Sequence, residues 1–393
     1  MTQHGDARAA TDWPVVLLLW GCGIGAAMQF AKISVSLDPL GAHYGISLAA
    51  TSLLLSIIGT VGAALGATAG VLVRRWDYRR SLQVALTMGG VISLVQAELP
   101  PLPVFFLSRL LEGVSQLIIV IVAPILMHVF SAPRHRAIAM GLWGTFFGVA
   151  YALAECLAAP IMARDGVQGV LAAHGALLLV FAAAVLLMIP PDTARGEAVA
   201  HPERFSLRGF AAQHVDMYAR RATALPGILF FFHTCMFIAL LTFVPRMTGG
   251  AHDPLSFVMP LFGVIGTLAA GVLAQYAIRP VRLTALCFAS VAAAAGGAYW
   301  VAGSSGERAA ALGLLCMSGL VQGAVFTMVP YLAHDPRDQA YSHGAIAQLG
   351  NLGATLGPPV IAAGYAAYGA LGLLTPVVAL AAVGVALAGR GAR

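Results

Sequence analysis

A chain of 393 residues has length enough for two or three soluble domains, but 59% of it is apolar, only 10% is charged, and its mean hydropathy is +0.85. A soluble protein carries about 25% charged residues to clothe its surface, so the composition excludes soluble domains, collagen and disorder and points to a polytopic membrane protein. The net charge of +6 does not imply nucleic acid as a partner, because the basic residues fall at the ends of apolar segments, the pattern of membrane topology.

A membrane helix needs about 20 mainly apolar residues. Such stretches run at 14–37, 47–73, 81–98, 102–130, 137–163, 168–190, 224–247, 254–278, 283–303, 309–333, 342–366 and 369–389, which predicts twelve spans. The apolar run after Trp13 is too long for a signal-peptide core and reads as a retained first span. The longest hydrophilic stretch, 191–222, divides the chain into six spans over 1–190 and six over 223–393. With the N-terminus inside, seventeen arginines fall in cytoplasmic segments and three, Arg164, Arg246 and Arg308, on the opposite side. Positive loops stay cytoplasmic, so both termini are expected inside and the inner membrane is the expected location. Cys22, Cys156, Cys235, Cys287 and Cys316 stand singly in apolar segments without a CxxC pair, so no disulfide framework, zinc site or other cofactor is expected.

The halves repeat one another. Gly70-Val71-Leu72-Val73 returns as Gly271-Val272-Leu273-Ala274, and Ser108-Arg109-Leu110-Leu111-Glu112-Gly113 as Ser318-Gly319-Leu320-Val321-Gln322-Gly323. Ala137-Ile138-Ala139 opens the fifth span as Ala345-Ile346-Ala347 opens the eleventh; the three offsets are 201, 210 and 208 residues. Parallel six-helix repeats are one plan of secondary transporters.

With twelve spans, a long central loop and internal halves, the chain resembles the major facilitator superfamily over nearly its whole length. Gly70, Leu72, Arg75, Arg79 and Arg80 match that family's motif after the second span, and Arg109 with Gly113 its fourth-span motif. Arg74 replaces the usual acid and Asp77 a usual glycine. The antiporter glycine-proline motif of the fifth span is missing, and a similar string, Gly350 through Gly353 to Gly357-Pro358-Pro359, lies in the eleventh. The resemblance implies an all-α fold of two pseudo-symmetric six-helix bundles, with spans 1, 4, 7 and 10 around a central cavity and with Arg75, Asp77 and Arg79 in gating.

Charges inside a span are costly and need a reason. Lys32, the one lysine, lies in the first span with Gln29 a turn earlier; it either lines the cavity or snorkels to the interface. Arg109 and Glu112 share a face of the fourth span at i and i+3, with Gln116 continuing it, and form either an ion pair or a tunable proton site. Glu155 lies on the fifth span with Gly144, Gly148 and Tyr151 at helical spacing. The second half offers His233, Thr234, Gln322 and a polar eleventh-span face of Gln348, Asn351 and Thr355, read as glue between helices.

The expected function is secondary transport of a small organic, anionic solute by alternating access, coupled to protons. Lys32, Arg109, Gln29, His233 and Gln322 are the candidate substrate contacts, and Glu112 and Glu155 the candidate proton sites. Efflux of an amphipathic drug or secreted metabolite is the alternative within transport. A membrane enzyme is disfavoured, because no HExxH, GxSxG or phosphate-cradling loop occurs. The expected partners are a small-molecule substrate, the proton and the lipid bilayer, with the chain a monomer.

Overall fold

The computed structural model describes residues 10–73, 77–191, 207–249 and 256–391, which are helical almost throughout and contain no strand. The helices are α1 (Trp13–Val35), α2 (Leu37–Tyr44), α3 (Leu48–Ser56), α4 (Gly59–Val73), α5 (Tyr78–Ala97), α6 (Leu102–Val129), α7 (Arg136–Gly144) and α8 (Phe146–Met188). After these come α9 (Leu207–Ala219), α10 (Arg221–Met247), α11 (Val258–Tyr276), α12 (Pro280–Trp300), α13 (Glu307–Leu332), α14 (Pro336–Tyr368) and α15 (Ala370–Gly391). All-helical architecture follows from the solvent, since hydrocarbon offers backbone amides no partner and a helix satisfies them within itself.

Eight described helices are long and apolar enough to cross a membrane, and the bent pair α3 and α4 makes a ninth. With 43 residues, α8 would reach about 65 Å at ~1.5 Å per residue, twice a hydrocarbon core of ~30 Å. Gly166 interrupts it with φ 67° and ψ −164°, a conformation that side-chain-bearing residues avoid. The two parts of α8 therefore supply the expected fifth and sixth spans. α5 and α14 are more polar than these helices, and they occupy the places of the expected third and eleventh spans.

The structure departs from the expected spans at three places. The second is not one rod but bends by 45° between α3 and α4. The fifth breaks at Thr145, between α7 and α8. The central stretch is not all loop, because α9 lies within it.

Several acids serve as helix caps, and their carboxylates take up amide donors that a first turn leaves free. Asp12 Oδ1 accepts from Val15 N at 3.3 Å, Asp77 Oδ1 from Arg80 N at 2.7 Å and Asp335 Oδ1 from Arg337 N at 2.8 Å. Large apolar side chains on the outer surface, among them Val84, Leu107, Val180, Val272 and Val360, are exposed in the protein alone and suit contact with lipid. Trp300, Tyr276 and Tyr368, 85%, 77% and 72% exposed, stand at helix ends, where amphipathic rings favour a membrane interface.

Helices α1 and α5 to α8 pack chiefly on one another, and so do α10 to α15, whereas α3 and α4 make their most extensive contact with α14. Across the two sets, α14 lies along α3 and α4, and α8 meets α11. The approach of α4 to α14 is close because Gly59, Gly62 and Gly66 face it. A β-carbon at Gly66 would sit 3.1 Å from the Gln348 backbone nitrogen.

Candidate functional site

Arg109 and Glu112 fall on one face of α6, and that face is entirely enclosed. Arg109 Nε donates to Leu54 O at 2.8 Å and Nη2 to Leu55 O at 3.3 Å. These carbonyls lie at the end of α3, where the bend costs them their helical partners. The arginine thus satisfies the kink in the second span while Nη1 donates to Glu112 Oε2. Glu112 Oε2 also accepts from Gln96 Nε2 at 2.9 Å, and Oε1 accepts from Lys32 Nζ at 2.7 Å.

Lys32 does not snorkel. Its ammonium spends all three donors on Ser93 Oγ at 2.6 Å, Gln96 Oε1 at 2.7 Å and Glu112. The Lys32 side chain is 2% exposed, and those of Arg109 and Glu112 are 0% exposed. Gln29 shares the Lys32 face and donates to Ser115 Oγ at 3.1 Å. That face points at α5 and α6, inside the first set of helices. Two cations enclose one carboxylate, so the cluster holds one surplus positive charge.

His174 on α8 completes the network. Its Nε2 lies 3.0 Å from Gly25 O and its Nδ1 2.9 Å from Ser93 Oγ. A carbonyl only accepts, so Nε2 carries hydrogen. Sequence reasoning passed over His174, Ser93 and Gln96. The i, i+3 spacing of Ser93 and Gln96 on one face of α5 was the available signal.

At the face opposite the one where α1, α5 and α10 begin, the two sets of helices are tied together. Ser34 Oγ on α1 donates to Thr242 Oγ1 on α10 at 3.0 Å, and Arg246 on α10 pairs with Asp38 on α2 at 3.0 Å. Rings continue the contact inward. Phe30 meets Phe147 at 5.8 Å, Phe147 meets Phe237 at 6.0 Å, and Phe237 stacks on His233 at 4.9 Å. From His233 the line runs to Phe230 at 5.5 Å and then to Phe326 at 5.3 Å. These separations suit tilted and offset aromatic pairs. In contrast, α6 and α13 barely touch.

Glu155 lies one turn beyond Tyr151 on α8 and is not joined to Lys32 or Arg109. It is half-buried and makes no hydrogen bond or ion pair among the described residues. Gly148 packs tightly on α11, where a β-carbon would meet Pro260 O at 3.0 Å, whereas Gly144 has open space.

His233 is wholly buried, and neither ring nitrogen has a hydrogen-bond partner. Gln322 on α13 faces the ring without closing a hydrogen bond. Buried Gln29 Oε1, Gln116 Oε1 and Ser318 Oγ are also without partners. Unpaired polar atoms in a dry interior are costly, and such groups are candidates for a ligand. Thr234 instead bonds its own helix, at Phe230 O and Phe231 O.

The polar face of α14 packs against the α4 glycines, and its Asn351 and Thr355 bond backbone carbonyls of α14 itself. Gln348 reaches α9, accepting from Tyr218 Oη at 2.8 Å. Burial pushes the Tyr218 phenol up to about 12, so it remains a donor.

Of the expected gating residues, Arg75 lies outside the described residues. Asp77 is the α5 cap, and Arg79 Nη2 donates to Leu186 O at 2.8 Å near the end of α8. Both contacts lie within the first set of helices. Among the described residues, no three His, Cys, Asp or Glu side chains group as a metal site.

Residues 19–358 match the sequence model of the Major Facilitator Superfamily. No curated protein matches the chain. Among solved structures, a bacterial homologue of the human lysosomal transporter Spinster, inward-facing and occupied, is 15% identical with a TM-score of 0.74, and the match covers 97% of each chain. The unoccupied inward-facing form of a bacterial Spinster homologue is 14% identical with a TM-score of 0.74, over 96% of this chain and 95% of that one. The human organic anion transporter MFSD10 (TETRAN) is 17% identical with a TM-score of 0.67, over 98% of this chain and all of that one.

Proposed function

Because the chain belongs to the Major Facilitator Superfamily and is a multi-pass membrane protein with a transporter's fold, we propose that it is a proton-coupled secondary transporter of small organic anions. The observation that carries the reading is the tie between the two halves at one face. Ser34 with Thr242 and Asp38 with Arg246 tie the halves at one face, while α6 and α13 stay apart. Two halves that rock about a midplane site would pass through such a state.

The counting of α8 as two spans and of α3 with α4 as one, with α5 and α14 included, supports twelve crossings in two units, 1–190 and 223–393. The arginine excess supports a cytoplasmic location for the face opposite the tied one and for both termini, in the inner membrane. The reading treats the chain as a monomer.

The substrate's charge is read from the surplus cation of Lys32, Arg109 and Glu112. These groups act on it through their field, because their donors are engaged by the protein. Direct contact falls to His233 and Gln322, with the aromatic line receiving an apolar body. That line also favours a second reading, efflux of amphipathic compounds. Counterflow in proteoliposomes separates the two, with aromatic carboxylates set against their uncharged methyl esters and against amines. Exchange of the acids alone supports the anion reading, exchange of esters and amines supports efflux, and exchange of none refutes both.

A further inference from the structure

We propose that Tyr151 is a further direct contact for the substrate, held by the first half opposite His233 of the second, and that the ligand bridging them is an aromatic acid with another hydrogen-bonding group at its far end. The inference deepens the anion-transporter reading and rests on it.

Tyr151 and His233 share one anomaly. Each side chain is wholly buried, and neither the Tyr151 hydroxyl nor either ring nitrogen of His233 has a hydrogen-bond partner among the described residues. Thr242 of α10 faces the hydroxyl without closing a bond to it. It gives its own hydrogen to Ile238 O at 2.8 Å and accepts that of Ser34. Buried polar groups left so are costly and call for an explanation. Position points to one. Tyr151 is near the middle of the stretch 137–163, and His233 is near the middle of α10. Secondary transporters hold substrate at that depth.

Rings join the two groups. Tyr151 stacks on Phe147 of its own helix at 5.6 Å, Phe147 meets Phe237 across the halves at 6.0 Å, and Phe237 stacks on His233 at 4.9 Å. Two polar groups thus flank an aromatic middle, and that middle is a contact between the halves. Parting the halves separates Phe147 from Phe237 and uncovers both polar groups. Closing again around a ligand whose ring lies against the phenylalanines brings one polar end to each group. A phenol both donates and accepts, and so does a neutral imidazole, so either can serve a carboxylate or a hydroxyl. Closed and empty, the site leaves both groups unsatisfied. Closed and loaded, each gains a partner, and occupancy favours closure by that difference.

The test is calorimetric titration of benzoate and 4-hydroxybenzoate into the full-length protein and its Tyr151→Phe and His233→Leu variants, with the melting midpoint of each measured without ligand. Tyr151→Phe keeps the ring on Phe147 and removes only the unpartnered hydroxyl, so its ligand-free midpoint should equal or exceed that of the parent. The parent should bind the hydroxy acid about two- to tenfold more tightly than benzoate, the value of one neutral hydrogen bond. One variant should abolish that preference and the other should weaken both acids alike, because the two residues hold different ends. Unchanged affinity for both acids in Tyr151→Phe overturns the proposal. So does a lowered ligand-free midpoint, which would mean that the fold itself uses the hydroxyl. Both variants acting on the same end, or a parent that binds neither acid, also overturns it. Counterflow of the same acids tests the transporter reading separately. The expected binding pattern without exchange supports the bridge and refutes transport, and exchange indifferent to Tyr151 does the reverse.

Discussion

Glu112→Gln tests whether the buried cluster is built on charge. The two cations and one carboxylate are almost wholly enclosed, so the substitution raises the enclosed charge from one surplus positive to two. Removing one member of a buried pair costs about 3–5 kcal/mol, because the partner is left uncompensated. Here two partners are left, which places the expected loss at the upper end. Against a total stability of about 5–15 kcal/mol, that is a third or more. Lys32→Met works in the other direction on charge and leaves Arg109 with Glu112 as a neutral pair. It strands Gln96 Oε1, an unsatisfied acceptor worth about 1–3 kcal/mol, while Ser93 keeps Leu171 O and His174. The double variant restores one surplus positive charge. It should therefore be less destabilised than the sum of the single variants by about 0.5–3 kcal/mol. Denaturant unfolding in mixed micelles, with the folded fraction read by size exclusion, measures all four proteins. Stability of Glu112→Gln equal to that of the parent, or strict additivity in the cycle, would show that Glu112 is not a charged partner there. Loss of transport in Glu112→Gln should accompany loss of folded protein, not replace it.

Arg109→Lys should lower stability by about 1–3 kcal/mol, because one ammonium cannot reproduce the fork that reaches Leu54 O, Leu55 O and Glu112. An unchanged melting midpoint would argue against the arginine as the group that satisfies the bend. Gly62→Leu should cost about 1–3 kcal/mol through overpacking, since even a β-carbon there lies 2.5 Å from Asn351 Nδ2. Folded yield should recover in part with Asn351→Ala, and no recovery would place the clash elsewhere. His233→Leu should leave the fold at least as stable while weakening substrate binding about two- to tenfold, the value of one neutral hydrogen bond of ~0.5–1.5 kcal/mol. Undiminished affinity in counterflow competition would remove His233 from the site. Arg79→Ala should cost about 0.5–1.5 kcal/mol through loss of the bond to Leu186 O and leave transport intact. Abolished transport at normal stability would support the gating role expected of Arg79.

Membrane insertion and the helical fold are legible residue by residue, because apolar length and the need to satisfy backbone groups are local properties. Lys32, Arg109 and Glu112 stand out for the same reason, as charges amid apolar residues. Their partners do not. Lys32 reaches Ser93, Gln96 and Glu112 across 61, 64 and 80 residues of chain, and Arg246 reaches Asp38 across 208. Placement of Lys32 on a cavity wall assumed that a costly charge faces water, whereas α5 and α6 supply acceptors for all three of its hydrogens. The bend at residues 57–58 was only partly legible: Ser56 and Gly59 beside it weaken the helix, but the donors that satisfy the broken turn come from Arg109 on another helix. His174 looked like any histidine in a span until Gly25 O and Ser93 Oγ closed on both ring nitrogens. What the chain determines by itself is which groups are too costly to leave unpaired in lipid. Which group pairs with which is decided by the packing of helices remote in sequence, because a hydrogen bond depends on a separation of about 3 Å in space and not on distance along the chain.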